Sequence, residues 1–141
     1  MRAGYNEHFW LVQPDLSPEE EQVLPFLRSL PLWAEADDYL FVHAGVRPGV
    51  PMAQQAARDL LEIRQEFHAH PNPHAKTVVF GHTAAHDLGG EPGRVWVRPG
   101  KIGIDTGAGH GITLSLVDLS QRLVHAVPVQ ASHPVTTTPL L

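Results

Sequence analysis

The sequence predicts an α/β (α+β) fold built on a mixed β-sheet. Three apolar runs, at residues 39–42, 77–80 and 101–104, each end in a histidine or an aspartate followed by small residues. Short runs rich in β-branched and aromatic residues are typical of buried strands. Only one predicted helix separates the first run from the second, and the later strands follow one another through turns. We therefore expect a mixed sheet and not a doubly wound one.

Two helices are predicted. Ser17, followed by proline and two glutamates, is typical of a helix start and predicts a helix over residues 18–29. A second helix is predicted over residues 53–67, where apolar side chains recur at helical spacing. The residues that can share its buried face are Leu60, Ile63 and Phe67.

The remaining strands are short. Residues 32–36 and 94–98 each predict one strand, and residues 112–119 and 122–129 predict a closing hairpin. Residues 130–141 are rich in proline and threonine and predict a flexible tail. The sequence thus predicts one domain over residues 1–129, followed by that tail.

Composition excludes several classes of function. The chain has 141 residues, a formal net charge of −5 and no cysteine. The acidic balance argues against a nucleic-acid partner, and the lack of cysteine excludes disulfides and thiolate chemistry. No apolar run is long enough to span a membrane, and no basic-then-apolar signal pattern opens the sequence. We expect a cytoplasmic protein with neither a nucleic-acid nor a membrane partner.

Three polar residues follow the predicted strands and are candidates for a site. His43 and His82 each stand beside a glycine or a small residue at a strand end, and Asp105 follows the third strand. Neutral imidazole is a common ligand of divalent metals, so the two histidines either share a metal or serve as hydrogen-bonded structural side chains. If they share a metal, their nitrogens should lie about 3 to 3.5 Å apart. Asp105, followed by Thr-Gly, is either a turn former or a ligand.

Arg64 lies next to the apolar face of the second helix. It can reach over the packed edge into a site, although periodicity alone favours a solvated cation. The glycine-rich segment 107–111 does not predict a nucleotide loop, because it leads into a strand and offers no helix amino terminus to a phosphate.

Four segments in order resemble the calcineurin-like metallophosphoesterases. They are Asp-Tyr-Leu-Phe-Val-His-Ala-Gly-Val at 38–46, Leu-Leu-Glu-Ile-Arg-Gln-Glu-Phe at 60–67, Val-Val-Phe-Gly-His-Thr at 78–83 and Ile-Gly-Ile-Asp-Thr-Gly-Ala at 102–108. The branch they are most similar to is the bacterial serine/threonine protein phosphatases, near the symmetrical diadenosine tetraphosphatases. The resemblance implies the carboxyl-terminal part of a four-layer α-β-β-α sandwich.

The resemblance also implies roles for residues. His43 and His82 match two histidine ligands of a divalent metal, which we expect to be manganese, with iron, zinc and nickel as alternatives. Arg64 matches the arginine that binds the phosphate oxygens, for which a guanidinium fork is suited. Asp105 and Thr83 match positions next to the site. The implied substrates are a phosphorylated protein, a small phosphoester or a dinucleoside polyphosphate.

The family's first-half motifs are missing from this sequence. Gly-Asp-x-His-Gly, Gly-Asp-x-x-Asp-Arg-Gly and Gly-Asn-His-Glu do not occur in it. The position before Ile63 is Glu62, where the family usually has tryptophan. Two neutral ligands should hold a metal weakly, because hydrolytic sites normally have at least three protein ligands.

Three interpretations follow from the missing motifs. The chain is the truncated carboxyl-terminal part of a phosphatase, a non-catalytic binding scaffold, or half of a split phosphatase completed by another chain. We expect the isolated chain to have little or no activity. We also expect it to expose apolar faces of the strands at 39–42, 78–80 and 102–104, and hence to self-associate or bind a missing-half partner.

Overall fold

A computed structural model describes residues 17–72, 74–130 and 134–140. The elements, in chain order, are α1 (Pro18–Ser29), β1 (Trp33–Ala36), β2 (Tyr39–Val42), α2 (Ala57–Glu62), α3 (Gln65–His68), β3 (Thr77–Phe80), β4 (Trp96–Arg98), β5 (Lys101–Gly103), β6 (Thr113–Asp118), β7 (Leu123–Pro128) and β8 (Thr136–Pro139). Among these described residues, short 3-10 turns lie at Met52–Gln54, Ala85–Leu88 and Ala108–His110. Residues 1–16 of the predicted domain lie outside the described residues.

The larger sheet is mixed, as predicted. Its five strands lie in the order β1-β2-β3-β5-β4. The central strands β2, β3 and β5 are parallel, and β1 and β4 pair antiparallel at the two edges. Because parallel strands end at the same edge of a sheet, the residues that follow β2, β3 and β5 are brought together.

A second sheet is antiparallel, with the order β6-β7-β8. The predicted hairpin is present as β6 and β7. The predicted flexible tail is wrong for residues 134–140, because Thr136–Pro139 pairs with β7 and Leu140 is buried. The Leu140 side chain joins an apolar cluster with Val79, Ile102 and Val124, so burial orders a segment whose composition alone favours a loop.

Both faces of the larger sheet pack against other elements. Leu40, Val42, Val78 and Phe80 pack in one cluster with the three residues predicted to form a buried face, Leu60 of α2, Ile63 after its end and Phe67 of α3. The opposite face packs on the second sheet through Val79 and Ile102. The expected exposure of the strand residues is therefore largely wrong, because the second sheet covers that face.

Exposed apolar side chains lie elsewhere. Phe26 of α1 is 62% exposed, and Leu114 and Leu116 of β6 are 60% and 63% exposed. Among the described residues, no helix is both long and apolar enough to cross a membrane.

The single helix predicted over residues 53–67 is also wrong. The chain forms α2, leaves the helix at Ile63 and Arg64, and then forms α3. In a continuous helix the Leu60 carbonyl would accept the Arg64 amide, but here it accepts the Ala44 amide at 2.9 Å. The loop after β2 thus takes over a hydrogen bond of the helix, and Arg64 lies in the break.

Candidate metal and phosphate site

The site lies where three parallel strands end. Beyond β3, the Gly81 amide donates to the His43 carbonyl at 2.8 Å, and the Ile104 amide donates to the Phe80 carbonyl at 2.8 Å. These bonds extend the sheet ladder past the strands. They hold the segments that follow β2, β3 and β5 in register at one rim of the sheet.

His43 and His82 converge at this rim. His43 Nε2 lies 3.3 Å from His82 Nδ1, and the ring centroids are 5.0 Å apart. This confirms the expected spacing. The separation fits a hydrogen bond between the two rings, and it equally fits two nitrogens at about 2.1 Å from one ion. The metal role itself stays a prediction.

His82 has a left-handed backbone. Its φ is 66°, and the Thr83 amide donates across it to the Gly81 carbonyl at 2.7 Å, which makes a tight turn. A left-handed conformation costs a residue with a side chain about 1–2 kcal/mol. Strain of this kind is concentrated at functional sites, where the surrounding structure enforces it.

We expect His82→Gly to be more stable than His82→Ala by about 1 kcal/mol, because only glycine adopts a positive φ without penalty. Urea denaturation of the two metal-free variants measures the difference. Arg122, at φ 55° and far along the chain in the β6–β7 turn, provides the control pair Arg122→Gly and Arg122→Ala. Equal stabilities for the two His82 variants, beside a clear gap for the Arg122 pair, would contradict the prediction.

Arg64 reaches the same rim from the break between α2 and α3. Its Nη1 donates to the Thr83 hydroxyl oxygen at 3.2 Å, next to His82. The Arg64 residue is exposed, whereas Thr83 is buried. Arg64 thus faces the rim that carries the two histidines, while its exposure leaves it in contact with solvent, as the solvated-cation alternative expects. A guanidinium held at this rim has further N–H donors of the kind that bind phosphate oxygens.

The electrostatics of the rim favour the neutral form of His82. Partial burial lowers the pKa of His82, and the nearby charges of Arg64 and His43 lower it further. The carboxylates of Glu62 and Asp105 act in the opposite direction. A neutral imidazole is the form that binds metals, so the Arg64 cation favours the form of His82 that a metal site requires.

Asp105 stabilises the turn that follows β5. Its Oδ1 accepts the Gly107 amide at 3.0 Å, and its carbonyl accepts the Ala85 amide at 2.8 Å. The carboxylate therefore makes the local bond typical of a turn former. It lies near enough to His82 to act on its charge, which is consistent with a place next to the site.

Several residues that support the site were not identified from the sequence. Arg47 makes two 2.6 Å bonds to Asp59, and Gln55 bonds the amide and the carbonyl of Arg47. These contacts fasten the loop after His43 to α2. The pairing of an arginine with a carboxylate 12 residues later depends on tertiary contact, so spacing alone does not reveal it.

Lys101, the first residue of β5, is a buried cation, 2% exposed. Its Nζ donates to the carbonyls of Phe67 and His70 and lies 4.2 Å from the centre of the Phe67 ring. Burial lowers the pKa of Lys101. This lysine holds the carboxyl end of α3 and thereby supports the segment that begins at Arg64.

Among the described residues there is no group of three or more His, Asp or Glu side chains placed to hold an ion. The two imidazoles fit as part of a ligand set. Comparison with models of protein families, with curated proteins and with solved structures gives no match to this chain.

Proposed function

We propose that this chain is the carboxyl-terminal part of a metal-dependent phosphoester hydrolase of the calcineurin-like kind. The observation that carries the proposal is the convergence of three residues at one sheet rim. His43 Nε2 and His82 Nδ1 lie 3.3 Å apart, and Arg64 is bonded to Thr83, the residue after His82. Four-layer packing and a serine/threonine phosphatase activity of the complete protein belong to this proposal, as does a cytoplasmic location.

The chemistry assigned to each residue follows from its position. His43 and His82 present neutral nitrogens to a divalent ion, for which manganese is the first choice and iron, zinc and nickel are alternatives. Arg64 binds and orients the phosphoryl oxygens through its planar fork. When bound, the ion polarises the phosphoryl group and acidifies a water. The substrate is a phosphorylated protein or a small phosphoester, with a dinucleoside polyphosphate as the alternative.

A non-catalytic scaffold is the second candidate. It is favoured by one observation, which is that no third ligand joins the two histidines among the described residues. Under both interpretations the chain binds a metal and phosphate weakly. The two interpretations differ in the activity they expect once a carboxylate is supplied to the site. Only the hydrolase interpretation expects turnover from a completed site, as in a split phosphatase whose other half is a separate chain.

Metal binding tests the proposal. We expect manganese to bind the chain weakly, with one ion per chain, and to bind at least about tenfold more weakly to His43→Ala or His82→Ala because half of the ligand set is lost. Isothermal titration calorimetry measures the affinities. His125→Ala is the matched control, since His125 bonds Thr137 in the second sheet and should leave manganese binding unchanged.

Phosphate binding and turnover complete the test. In the presence of manganese, Arg64→Ala should weaken the binding of inorganic phosphate, while His125→Ala should not. The chain alone should not hydrolyse p-nitrophenyl phosphate, because the bridging carboxylate is missing. Equal manganese affinities for all the histidine variants would refute the assignment of His43 and His82 as metal ligands. Robust turnover by the chain alone that is lost in His82→Ala would refute the idea that the chain lacks part of the catalytic site.

A further inference from the structure

A second pair of histidines lies in the turns that follow β3 and β5. His86 belongs to the 3-10 turn after β3, and His110 belongs to the 3-10 turn after β5. Their ring centroids are 5.7 Å apart, close to the 5.0 Å that separates the rings of His43 and His82. Two imidazoles bound to one tetrahedral ion have centroids roughly 5 to 6 Å apart. The spacing of the second pair therefore also fits a shared ion.

Asp105 brings the two turns together. Its carbonyl accepts the Ala85 amide of the first turn at 2.8 Å, and its Oδ1 accepts the Gly107 amide that precedes the second turn at 3.0 Å. Each turn then ends at a left-handed glycine, Gly89 with a φ of 77° and Gly111 with a φ of 73°. Glycine adopts this conformation without a steric penalty. The backbone of both turns is thus well defined, and it places the two histidine rings side by side.

His86 and its neighbour Asp87 present two ligand atoms to the same space. His86 Nε2 lies 3.5 Å from Asp87 Oδ1. This distance exceeds the roughly 2.7–3.2 Å of a good hydrogen bond. It matches the roughly 3.4 Å between two atoms that each lie about 2.1 Å from one tetrahedral ion. The other ring nitrogen of His86, Nδ1, is buried, so Nε2 is the nitrogen that an ion can reach. The Asp87 side chain is 55% exposed, which leaves a path from solvent.

His110 supplies a third ligand once its ring turns. The two rings meet nearly at right angles, with an interplanar angle of 86°. In this arrangement the described side chains do not yet surround one point. His110 is exposed, and a β-carbon at the preceding residue, Gly109, would meet nothing within 4 Å. The ring therefore has room to rotate toward His86 Nε2 without any movement of the backbone.

We propose that His86, Asp87 and His110 bind a zinc ion, with water as the fourth ligand. Two imidazoles, one carboxylate and an open position held by water form a ligand set that zinc accepts in tetrahedral geometry. The bound ion joins the turn after β3 to the turn after β5. The site is separate from the pair His43 and His82, and the proposal does not depend on the proposed function.

Zinc binding is best measured in a chain that lacks the first histidine pair. In the double variant His43→Ala/His82→Ala, isothermal titration calorimetry should show one zinc ion per chain. Adding His110→Ala or Asp87→Asn should weaken the affinity for zinc at least about tenfold, because one of three protein ligands is lost. Adding His125→Ala is the matched control, since this histidine lies in β7 of the second sheet, and it should leave the affinity unchanged.

Cobalt gives a readout that needs only single variants. Cobalt replaces zinc in tetrahedral sites, and its visible absorption is strong in that geometry. The unaltered chain loaded with cobalt should show this absorption. The absorption should persist in His43→Ala and be lost in His110→Ala. The opposite result, with loss in His43→Ala and persistence in His110→Ala, would assign the tetrahedral ion to the first pair and overturn the proposal.

Two further outcomes separate this site from surface binding and from the proposed function. Zinc affinity that survives both His110→Ala and Asp87→Asn, or that falls equally in His125→Ala, would overturn the site in favour of adventitious binding by exposed histidines. Zinc binding that depends on His110, in a chain whose manganese affinity is unaffected by His82→Ala, would refute the proposed function and leave the zinc site standing.

Discussion

Gly45→Ala is expected to destabilise the chain by about 4 kcal/mol, a large share of the 5–15 kcal/mol typical of a domain. A β-carbon at Gly45 would lie 2.7 Å from Cγ of Phe67 and 2.9 Å from Cγ2 of Ile63. Phe67 is fully buried and Ile63 is 5% exposed, so neither side chain has room to withdraw. The φ of 155° at Gly45 adds backbone strain for any other residue.

Gly49→Ala is the matched control for this substitution. Gly49 also has a positive φ, of 76°, but a β-carbon there meets nothing within 4 Å. Its replacement should cost about 1 kcal/mol from the backbone alone. Urea denaturation of the two variants separates the clash from the backbone cost, and similar losses of stability in both would contradict the packing argument.

The same contact links stability to the site. Gly45 lies two residues after His43, and its close approach to Phe67 brings the loop after β2 onto α3. Any displacement that relieves the clash moves the loop that carries His43. We therefore expect Gly45→Ala, where it still folds, to weaken manganese binding as well, whereas Gly49→Ala should not.

Stability is expected to fall as the pH drops from about 6.5 to about 4, because of His68. Burial lowers the pKa of His68 to about 4, and the charges of Lys101, Arg64 and His82 contribute to the shift. Above pH 6.5 the ring is neutral in both states and the full stability is present. Between the two pKa values only the unfolded chain binds the proton, so unfolding is favoured.

The loss should amount to about 2 kcal/mol by pH 4, after allowance for the solvent that screens a partly exposed ring. His68→Leu should remove this part of the pH dependence. It should also be at least as stable as the unaltered chain at pH 7, because the Nε2 of His68 is a buried atom without a hydrogen-bond partner.

Exposed His110 provides the control for the pH experiment, since His110→Leu changes a histidine outside the buried cluster. Denaturation midpoints measured from pH 7.5 to pH 4 give the comparison. An unaltered pH profile in His68→Leu would show that another group carries the acid sensitivity.

The strands and their ends could be predicted from the sequence. Runs such as Tyr39–Val42 and Thr77–Phe80 are short, apolar and β-branched, and each is bounded by turn residues, so local composition is sufficient to identify them. The proximity of His43 and His82 could also be predicted. It requires only that the two strands be parallel and adjacent, because the residues that follow them then share one rim.

The break between α2 and α3 could not be predicted, because it depends on an amide from a distant part of the chain that hydrogen-bonds to one carbonyl of the helix. Helical spacing of Leu60, Ile63 and Phe67 survives in the fold, since all three are buried. The Leu60 carbonyl, however, accepts the amide of Ala44, a residue 16 positions earlier that spacing within the helix cannot reveal. The orientation of Arg64 toward Thr83 follows from that bond.

The sequence by itself determined the strands, their polar ends and the apolar face of the broken helix, because these depend on short-range periodicity and on residue type. Tertiary structure alone decided the left-handed turn at His82, the burial of Lys101 and the pairing of β8. Each of these is locally unfavourable or neutral. Each is held by contacts with residues far along the chain, and the free energy of those contacts is visible only once the elements are packed together.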